Sequence, residues 1–579
     1  MFKQLDRLME EEKWEEARVL VDKLEKEQEP SDVLAVYNAA VYLGEGKTEE
    51  ARQCITVGII CNPANYELYY LLGNSYLNQN VNQAYLCYEQ ALFYCEDKDA
   101  AEILKDNMSF VSGLEEFEVH KVSVVILSCH NLQVLEQCVE SIRKNCNKQT
   151  YELIVADYSL EEGVAEWLKD QKDIVSCCYG MEYYSARYNR GIAMADSKHD
   201  IFLLDSNTIV PSNMLFWLRM GLYERKCTGA VCPLSNSAKN HQKIKLVLNT
   251  AEEYLSLAES IHIPMPNPYE NKIYAVDSAV LIKRRAFCDV GWFDERYGCT
   301  LGDMDYGMSL SVAGYEILLC NNAFVYHNEK LYRYGETAEK SDILGRLDDK
   351  QKLLEKWGID PVYYMNIREE MVKEITEDPD TRLRVLEVGC GCGCTLSHIR
   401  WKYPNAEVYG IETVESAAKL GRYMANILVD NVETMEFPYV EKMFDYVIFG
   451  DVLEHLRDPY KVLSDLRRYI CPGGKILASI PNLLNGSVIA PLLRGKFTYK
   501  EAGLLDKTHI HLFTKYEIEK MFLETGFQVE KMFANTAWER DRMEDGDKEL
   551  IDALCALPGV VPKIEFEAYQ YFIVAKSVE

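Results

Sequence analysis

Apolar positions along roughly the first 115 residues recur at helical spacing, with no strand-like alternation, so this stretch is predicted to be helical throughout. Near residue 120 the period changes. VSVVILS (122–128), YELIVADYS (151–159) and HDIFLLDSN (199–207) are short apolar runs separated by amphipathic helical stretches. Strands that alternate with helices predict a mainly parallel sheet. A charged helix, SDILGRLDDKQKLLEKWG, closes this region near Gly358, and Pro361 marks a break. A second series of strands and helices begins at LRVLEVGCGCG (383–393) and ends on a late pair of strands, GFQVEKMF and FEAYQYFIVAKS. The pattern therefore predicts a multidomain chain, with an all-α arm followed by two α/β domains.

Length agrees with that division, since 579 residues at roughly 150 per domain suggest three to four domains. Hydrophobic residues make up 48% and charged residues 27%, the mixture of a chain that buries cores. Acidic residues number 92 against 63 basic ones, a formal charge of -29. No overall positive field exists to neutralise phosphates, which argues against nonspecific nucleic-acid binding. No run of 18 apolar residues is present, so no transmembrane segment is expected, and the charged start MFKQLDRLMEEEKWEEARVL lacks the apolar core of a signal peptide. A cytoplasmic location follows as an expectation. The 19 cysteines, scattered through a long chain, are expected to be reduced thiols.

Within the arm (1–115), Ala17, Ala51 and Ala84 recur at steps of 34 and 33. Tyr42, Ile55, Gly58 and Pro63, then Tyr69, Leu72, Gly73, Tyr76, Tyr88 and Ala91, fill out the pattern. Small residues let paired helices approach while aromatics fill between them, and the stretch resembles about two and a half tetratricopeptide repeats. The resemblance implies a surface for a protein partner. So short a solenoid should lean on its neighbour or on a second copy.

In residues 120–358, polar residues follow the apolar runs at Asp157, Asp205 and Asn207, where open α/β sheets bind ligands. The order of segments resembles a family 2 glycosyltransferase of the GT-A fold. That resemblance implies a nucleotide-sugar donor, with Asp157 of VADYS contacting base and ribose, and Arg187 and Asn189 of SARYNRGIAMA in the polar positions ahead of the metal motif. The metal motif reads Asp205, Ser206, Asn207, with an amide where the family has its last aspartate. Diphosphate leaving groups need a cation or positive side chains, so Mn²⁺ or Mg²⁺ is implied on Asp205, Asn207 and His327, and the neutral amide weakens that site. Asp303 matches the base that takes the acceptor hydroxyl proton, Gly302 stands where the family has a glutamate, and Asp305 keeps the later acidic position.

In residues 360–579, Glu387, Gly389, Gly391 and Gly393 alternate where a strand turns into a helix, and the third glycine of a nicotinamide motif would fall at Cys394. The pattern resembles motif I of class I S-adenosylmethionine-dependent methyltransferases, a Rossmann-like fold. Glu412, 25 residues beyond Glu387, is then implied to accept from the ribose hydroxyls, Asn431 to meet adenine, and Asp451, Glu454 and His455 to face the methyl group. LLDKTHIHLFTKYEIEKMFLETGF resembles the acceptor-side insert of methyltransferases that accompany glycan-building enzymes. His455, His509 and His511 are candidate bases for a hydroxyl acceptor. Cys390, Cys392 and Cys394 lack the spacing of a structural zinc site.

Together the resemblances imply a bifunctional enzyme that transfers a sugar from a nucleotide donor and O-methylates a sugar, on a glycan, lipid-linked or protein acceptor. Bacterial surface polysaccharide and glycosylated protein such as flagellin are the settings the resemblance suggests. Two further readings stand beside it. One is an active methyltransferase whose middle domain only binds sugars. The other is a non-enzymatic assembly platform organised by the repeats.

Overall fold

The computed structural model describes residues 1–128, 131–158, 162–178, 184–238, 240–275, 278–297, 301–328, 338–536 and 545–578. It divides into two compact units, Met1–Lys356 and Trp357–Glu579. Among the described residues no helix is long and apolar enough to cross a membrane.

The first unit begins with seven helices: α1 (Phe2–Glu10), α2 (Trp14–Glu27), α3 (Asp32–Gly44), α4 (Thr48–Cys61), α5 (Tyr66–Tyr76), α6 (Val81–Tyr94) and α7 (Lys98–Ser112). Short polar side chains start several of them. Ser31 accepts from the Leu34 amide, Asn65 from Glu67, Asn80 from Asn82 and Gln83, and Asp97 from Asp99 and Ala100, each satisfying amides that the first turn leaves without partners. Ala17, Ala51 and Ala84 lie fully buried on α2, α4 and α6, the second helix of each successive pair. A Cβ on Gly73 would lie 2.5 Å from the Tyr88 ring, so the glycine is what lets α5 and α6 close on that tyrosine.

The arm completes its core on the helix Met214–Leu222, whose nine residues are all buried. Gln83 Nε2 donates to the Met220 carbonyl at 3.0 Å, Asn80 Nδ2 to Tyr223 O at 2.8 Å, and the Tyr94 hydroxyl to Asn213 Oδ1 at 2.6 Å. Arg219 pairs with Glu89, and Phe216 meets the Tyr69 ring edge-on at 5.6 Å. A helix buried on every side, its one charge at Arg219 paired with Glu89, needs cover on every side, and the repeats supply one of those faces.

The sheet of this unit contains β1 (Val122–Ser128), β2 (Tyr151–Asp157), β3 (Ile174–Cys178), β4 (Asp200–Asp205), β5 (Thr208–Ile209), β6 (Thr228–Ser235), β7 (Tyr269–Lys272), β8 (Ala279–Ile282) and β9 (Glu316–His327). Their order is β3-β2-β1-β4-β8-β6-β9-β5, with β7 beside β9. β3, β2, β1 and β4 run parallel, as helical crossovers require, whereas β8 runs antiparallel to both β4 and β6. The parallel order expected from the sequence thus holds for one half of the sheet. In register, Ser128 faces Asp157 and Leu127 faces Asp205, so the ends of β1, β2 and β4 share one edge.

The second unit holds β10 (Arg384–Val388), β11 (Glu407–Glu412), β12 (Asn426–Val429), β13 (Phe444–Gly450), β14 (Ile470–Pro481), β15 (Phe527–Asn535) and β16 (Gln570–Ser577). The order is β12-β11-β10-β13-β14-β16-β15, parallel except for β16, which pairs antiparallel with β14 and β15. Leu386, Val447 and Phe449 pack on one face with Ile518 and Phe522, and Val385, Tyr446 and Ile448 on the other with Leu396 and Ile399. Period-two alternation puts Glu387 on the Val385 face, toward the helix Cys394–Lys402. Strand order reverses between β10 and β13, the topological switch point at whose carboxyl edge open α/β sheets bind ligands.

Candidate active site

β10 leaves the sheet through Gly389, Gly391 and Gly393, all in the left-handed region at φ 66°, 54° and 72°. That conformation costs other residues about 1–2 kcal/mol each, so three in alternation are affordable only to glycine. Close approaches add to the demand. A Cβ on Gly391 would lie 2.6 Å from the Tyr364 carbonyl oxygen, and one on Gly389 2.6 Å from Val452. The amide of Gly391 donates to Glu412 Oε2 at 2.8 Å, while Glu412 Oε1 accepts from the Val414 amide at 2.9 Å and the Thr413 hydroxyl at 3.2 Å. A carboxylate has about four acceptor sites, so Glu412 braces the loop and keeps capacity for a ligand hydroxyl.

Glu387 lies beneath this loop, buried, and its Oε2 has no hydrogen-bond partner among the described residues. Burial pushes its carboxyl up from an ordinary 4.5 to about 8, against the pull of the Arg368 guanidinium and the Thr395 hydroxyl. A group whose folded pKa is raised contributes stability that is complete below pH 4.5 and is lost as pH climbs through about 8. Glu387→Gln mimics the protonated form. Between pH 6 and 9 the wild-type chain is therefore expected to lose about 3 kcal/mol of stability that the variant keeps. Denaturant melts of the ligand-free chains across that range check this, and parallel pH profiles would refute it.

Asp451, at the end of β13, also stands in the left-handed region at φ 56°. Its Oδ1 accepts from the Ser479 hydroxyl at 2.5 Å, and its Oδ2 pairs with Arg368 at 2.6 Å. Asn431, exposed just past β12, accepts from the Glu433 amide at 2.9 Å through Oδ1, which stiffens the turn beside Glu412. The described cysteines, Cys390 and Cys392 among them, are free thiols. Burial raises the Cys390 and Cys392 thiols well above their usual range, which disfavours the reactive thiolate.

The neighbouring wall pairs the turn Leu453–His455 with the insert around 504–511. The Glu454 carbonyl accepts from the amides of Ile510 at 2.9 Å and His511 at 3.1 Å. His455 Nδ1 lies 3.2 Å from Thr508 O, and His509 Nδ1 lies 3.1 Å from Leu504 O. A carbonyl can only accept, so both Nδ1 atoms carry the proton and both Nε2 atoms present a lone pair. The two rings meet edge-on at 4.8 Å. Burial, followed by the His509 ring, holds His455 below the usual imidazole pKa, and burial, followed by Asp451, holds the Glu454 carboxyl well above its usual range. His511 is placed differently, with its Nε2 at 3.2 Å from Arg457 O. The structure therefore brings His455 and His509 together and leaves His511 outside the pair.

A Rossmann-like crevice with a left-handed glycine loop, an acidic residue ending the next strand, and imidazoles on the facing wall defines the class of this unit. Residues 363–532 match a family of methyltransferase domains, and the C-terminal unit contains such a domain. S-adenosylmethionine is the cofactor of this class. A demethylmenaquinone methyltransferase of Geobacillus sp. (strain WCH70) is 27% identical over 129 residues, which are 21% of this chain and 50% of that protein. One from Staphylococcus aureus (strain JH9) is 30% identical over 112 residues, 18% of this chain and 46% of that protein. The chain thus spans about half the length of the curated relatives it matches. A solved S-adenosylmethionine-dependent methyltransferase from Aquifex aeolicus is 16% identical, with a TM-score of 0.25, covering 42% of this chain and all of that one (100%).

In the first unit, the shared strand edge gathers Asp157, which accepts from the Ser128 hydroxyl and lies 3.6 Å from Cys178 Sγ. Asp205 Oδ2 stands 3.7 Å from His327 Nε2, brought there because β5 pairs Thr208 with His327. Asn207 follows in the same turn, its carbonyl accepting from the Asn328 amide at 2.9 Å. The Arg187 guanidinium lies 5.0 Å from the Tyr158 ring centre. Asn189 is a stitch: its amide group exchanges hydrogen bonds with the Phe293 backbone and donates to Glu295. Asp303, half-buried in the first turn of the helix Gly302–Ala313, accepts from the Met304 amide at 2.7 Å. A side chain at Gly302 would meet the Ser185 hydroxyl, a group that can rotate aside, so packing alone does not account for this departure. Asp305 is buried, 2.8 Å from Lys356 and 3.2 Å from the Tyr297 hydroxyl.

Several residues at these sites carried no sequence signal. Arg368 and Tyr364 lie in a stretch without a motif, Ser479 sits mid-strand, and Lys356 belongs to a helix readable only as charged. Glu387 and Glu412, by contrast, were marked by their place at strand ends.

Proposed function

We propose that the C-terminal unit O-methylates a sugar and that the Met1–Lys356 unit transfers a glycosyl group from a nucleotide sugar to a glycan, lipid-linked or protein acceptor. The observation that carries the reading is the Gly389–Gly393 loop, left-handed at each of its three glycines and braced by Glu412. Gly389, Gly391 and Gly393 admit the nucleoside, Glu412 offers its remaining acceptor capacity to the ribose, and the turn at Asn431 borders the adenine. Glu387 offers an acidic group with an open oxygen. These residues fit S-adenosylmethionine, which when bound supplies an electrophilic methyl group on a sulfonium. The Nε2 atoms of His455 and His509 receive the acceptor hydroxyl and its proton, and Asp451 is positioned by Arg368 and Ser479.

In the first unit, support comes from Asp157, Asp205 and His327 meeting at one strand edge and from Asp303 at a helix start. Asp205 and His327 would hold Mn²⁺ or Mg²⁺ with Asn207, offsetting charge on a diphosphate. Two sites in one chain raise the local concentration of one product at the other. Mass spectrometry of reactions given labelled methyl donor and a panel of nucleotide sugars tests both halves together. A sugar bearing the labelled methyl is the expected product, and label appearing only on a non-sugar acceptor would sink the reading. A second reading, in which the first unit only binds sugars, draws on Gly302 and Asn207. Metal-dependent release of nucleoside diphosphate excludes it.

A further inference from the structure

The geometry points to a transition-metal site formed by Glu454, His455 and His509, for one first-row divalent ion that holds the acceptor hydroxyl. One ligand atom from each of the three lies within 4.8 Å of the others. Both imidazoles have Nδ1 committed to a backbone carbonyl, the arrangement that orients metal-binding histidines and leaves Nε2 as the ligand. The third member supplies an independent sign. Glu454 is 1% exposed, yet neither carboxylate oxygen has a hydrogen-bond partner among the described residues. A buried carboxyl without partners must either stay protonated or be compensated by a charge, and a dication bound by the adjacent nitrogens would take the place of the proton.

The donor set selects the ion. Two nitrogens and one carboxylate suit zinc, cobalt, nickel, manganese or iron rather than Mg²⁺ or Ca²⁺, which prefer all-oxygen shells. Ligands at about 2.1 Å around a tetrahedral ion lie roughly 3.4 Å apart, so the set closes by up to about 1.4 Å through side-chain rotation. Three protein ligands leave a position open, as catalytic sites do. His455 is anchored by the insert and Glu454 holds that insert through its own carbonyl, so acceptor wall and ion site are one structure. With the ion present, the Nε2 atoms of His455 and His509 are ligands and no longer take the proton as they do in the metal-free reading. The hydroxyl oxygen occupies the open position, its acidity rises, and its proton leaves to solvent water.

The role given to the ion rests on the methyl-transfer reading, whereas the ion site itself does not. The test uses the untagged full chain, stripped with chelator and titrated with Co²⁺ while visible absorption is recorded. S-adenosylmethionine binding is measured by calorimetry on the same samples. The expected result, read in an Asp205→Ala background so that the site proposed at Asp205 and His327 does not contribute, is a set of visible bands, displaced by Zn²⁺ and lost on His509→Ala and on the milder His509→Asn. Affinity for Co²⁺ should fall about 100-fold in the His509 variants, in line with loss of a ligand, with cofactor affinity within about two-fold. Bands that persist in both His509 variants, or that never appear in the Asp205→Ala background, overturn the site. Co²⁺ bands without any S-adenosylmethionine binding would keep the site and overturn the methyl-transfer reading instead.

Discussion

Gly391→Val is expected to abolish S-adenosylmethionine binding, with calorimetry showing a loss of at least about 100-fold. Two effects add. A β-branched residue at φ 54° is strongly disfavoured, and its Cβ would press on the Tyr364 carbonyl, which is backbone and cannot rotate away. The loop must then move, carrying with it the Gly391 amide that Glu412 holds at 2.8 Å. Such a change also threatens the fold, so Glu412→Gln provides the gentler companion. It keeps the side-chain shape while placing a donor where acceptors are needed, and about a tenfold weakening is expected. Thermal melts show whether each chain is folded. A folded Gly391→Val chain that binds the cofactor within about three-fold of the wild type would remove the glycine loop from the site.

Asp303→Asn is expected to reduce glycosyl transfer by about 10²–10⁴-fold, the usual contribution of a positioned base. Nucleotide-sugar affinity should change by less than about two-fold, because the proposed donor contacts belong to Asp157 and Arg187 on other elements. The pH profile of the residual rate should lose its acidic limb. Asp305→Asn serves as the contrast. It leaves Lys356 without the carboxylate at 2.8 Å and weakens the packing around Tyr297, so stability rather than the pH profile should respond. Equal rates for Asp303→Asn and the wild type would place the base elsewhere.

Gly391 and Asp303 also show how far the chain could be read. Gly391 was legible because alternation of glycines after an apolar run has one physical use, a strand turning under a close backbone contact. Asp303 was legible only through a family order of segments, and the neighbouring Gly302 looked like lost chemistry. The structure puts the Ser185 hydroxyl beside that glycine, but a hydroxyl can rotate aside, so the departure keeps no structural explanation. Arg368 shows the opposite limit. It pairs with Asp451 across 83 positions, and nothing local in its surroundings marks it.

The sequence by itself determined the element types, the three-part order, the glycine loop and the acidic strand ends, because each rests on periodicity or on backbone demands felt within a few residues. Between the neighbour and the second copy that the short solenoid left open, tertiary structure decided for the neighbour, since the helical arm and the first sheet form one unit. That outcome depends on the helix Met214–Leu222, which is buried on all sides and must be covered by distant residues. It also decided which histidines meet. His455 and His509 are 54 residues apart, and only hydrogen bonds between the turn at 453–455 and the insert at 504–511 set their rings at 4.8 Å. Proximity of this kind arises from packing between elements, and no local pattern encodes it.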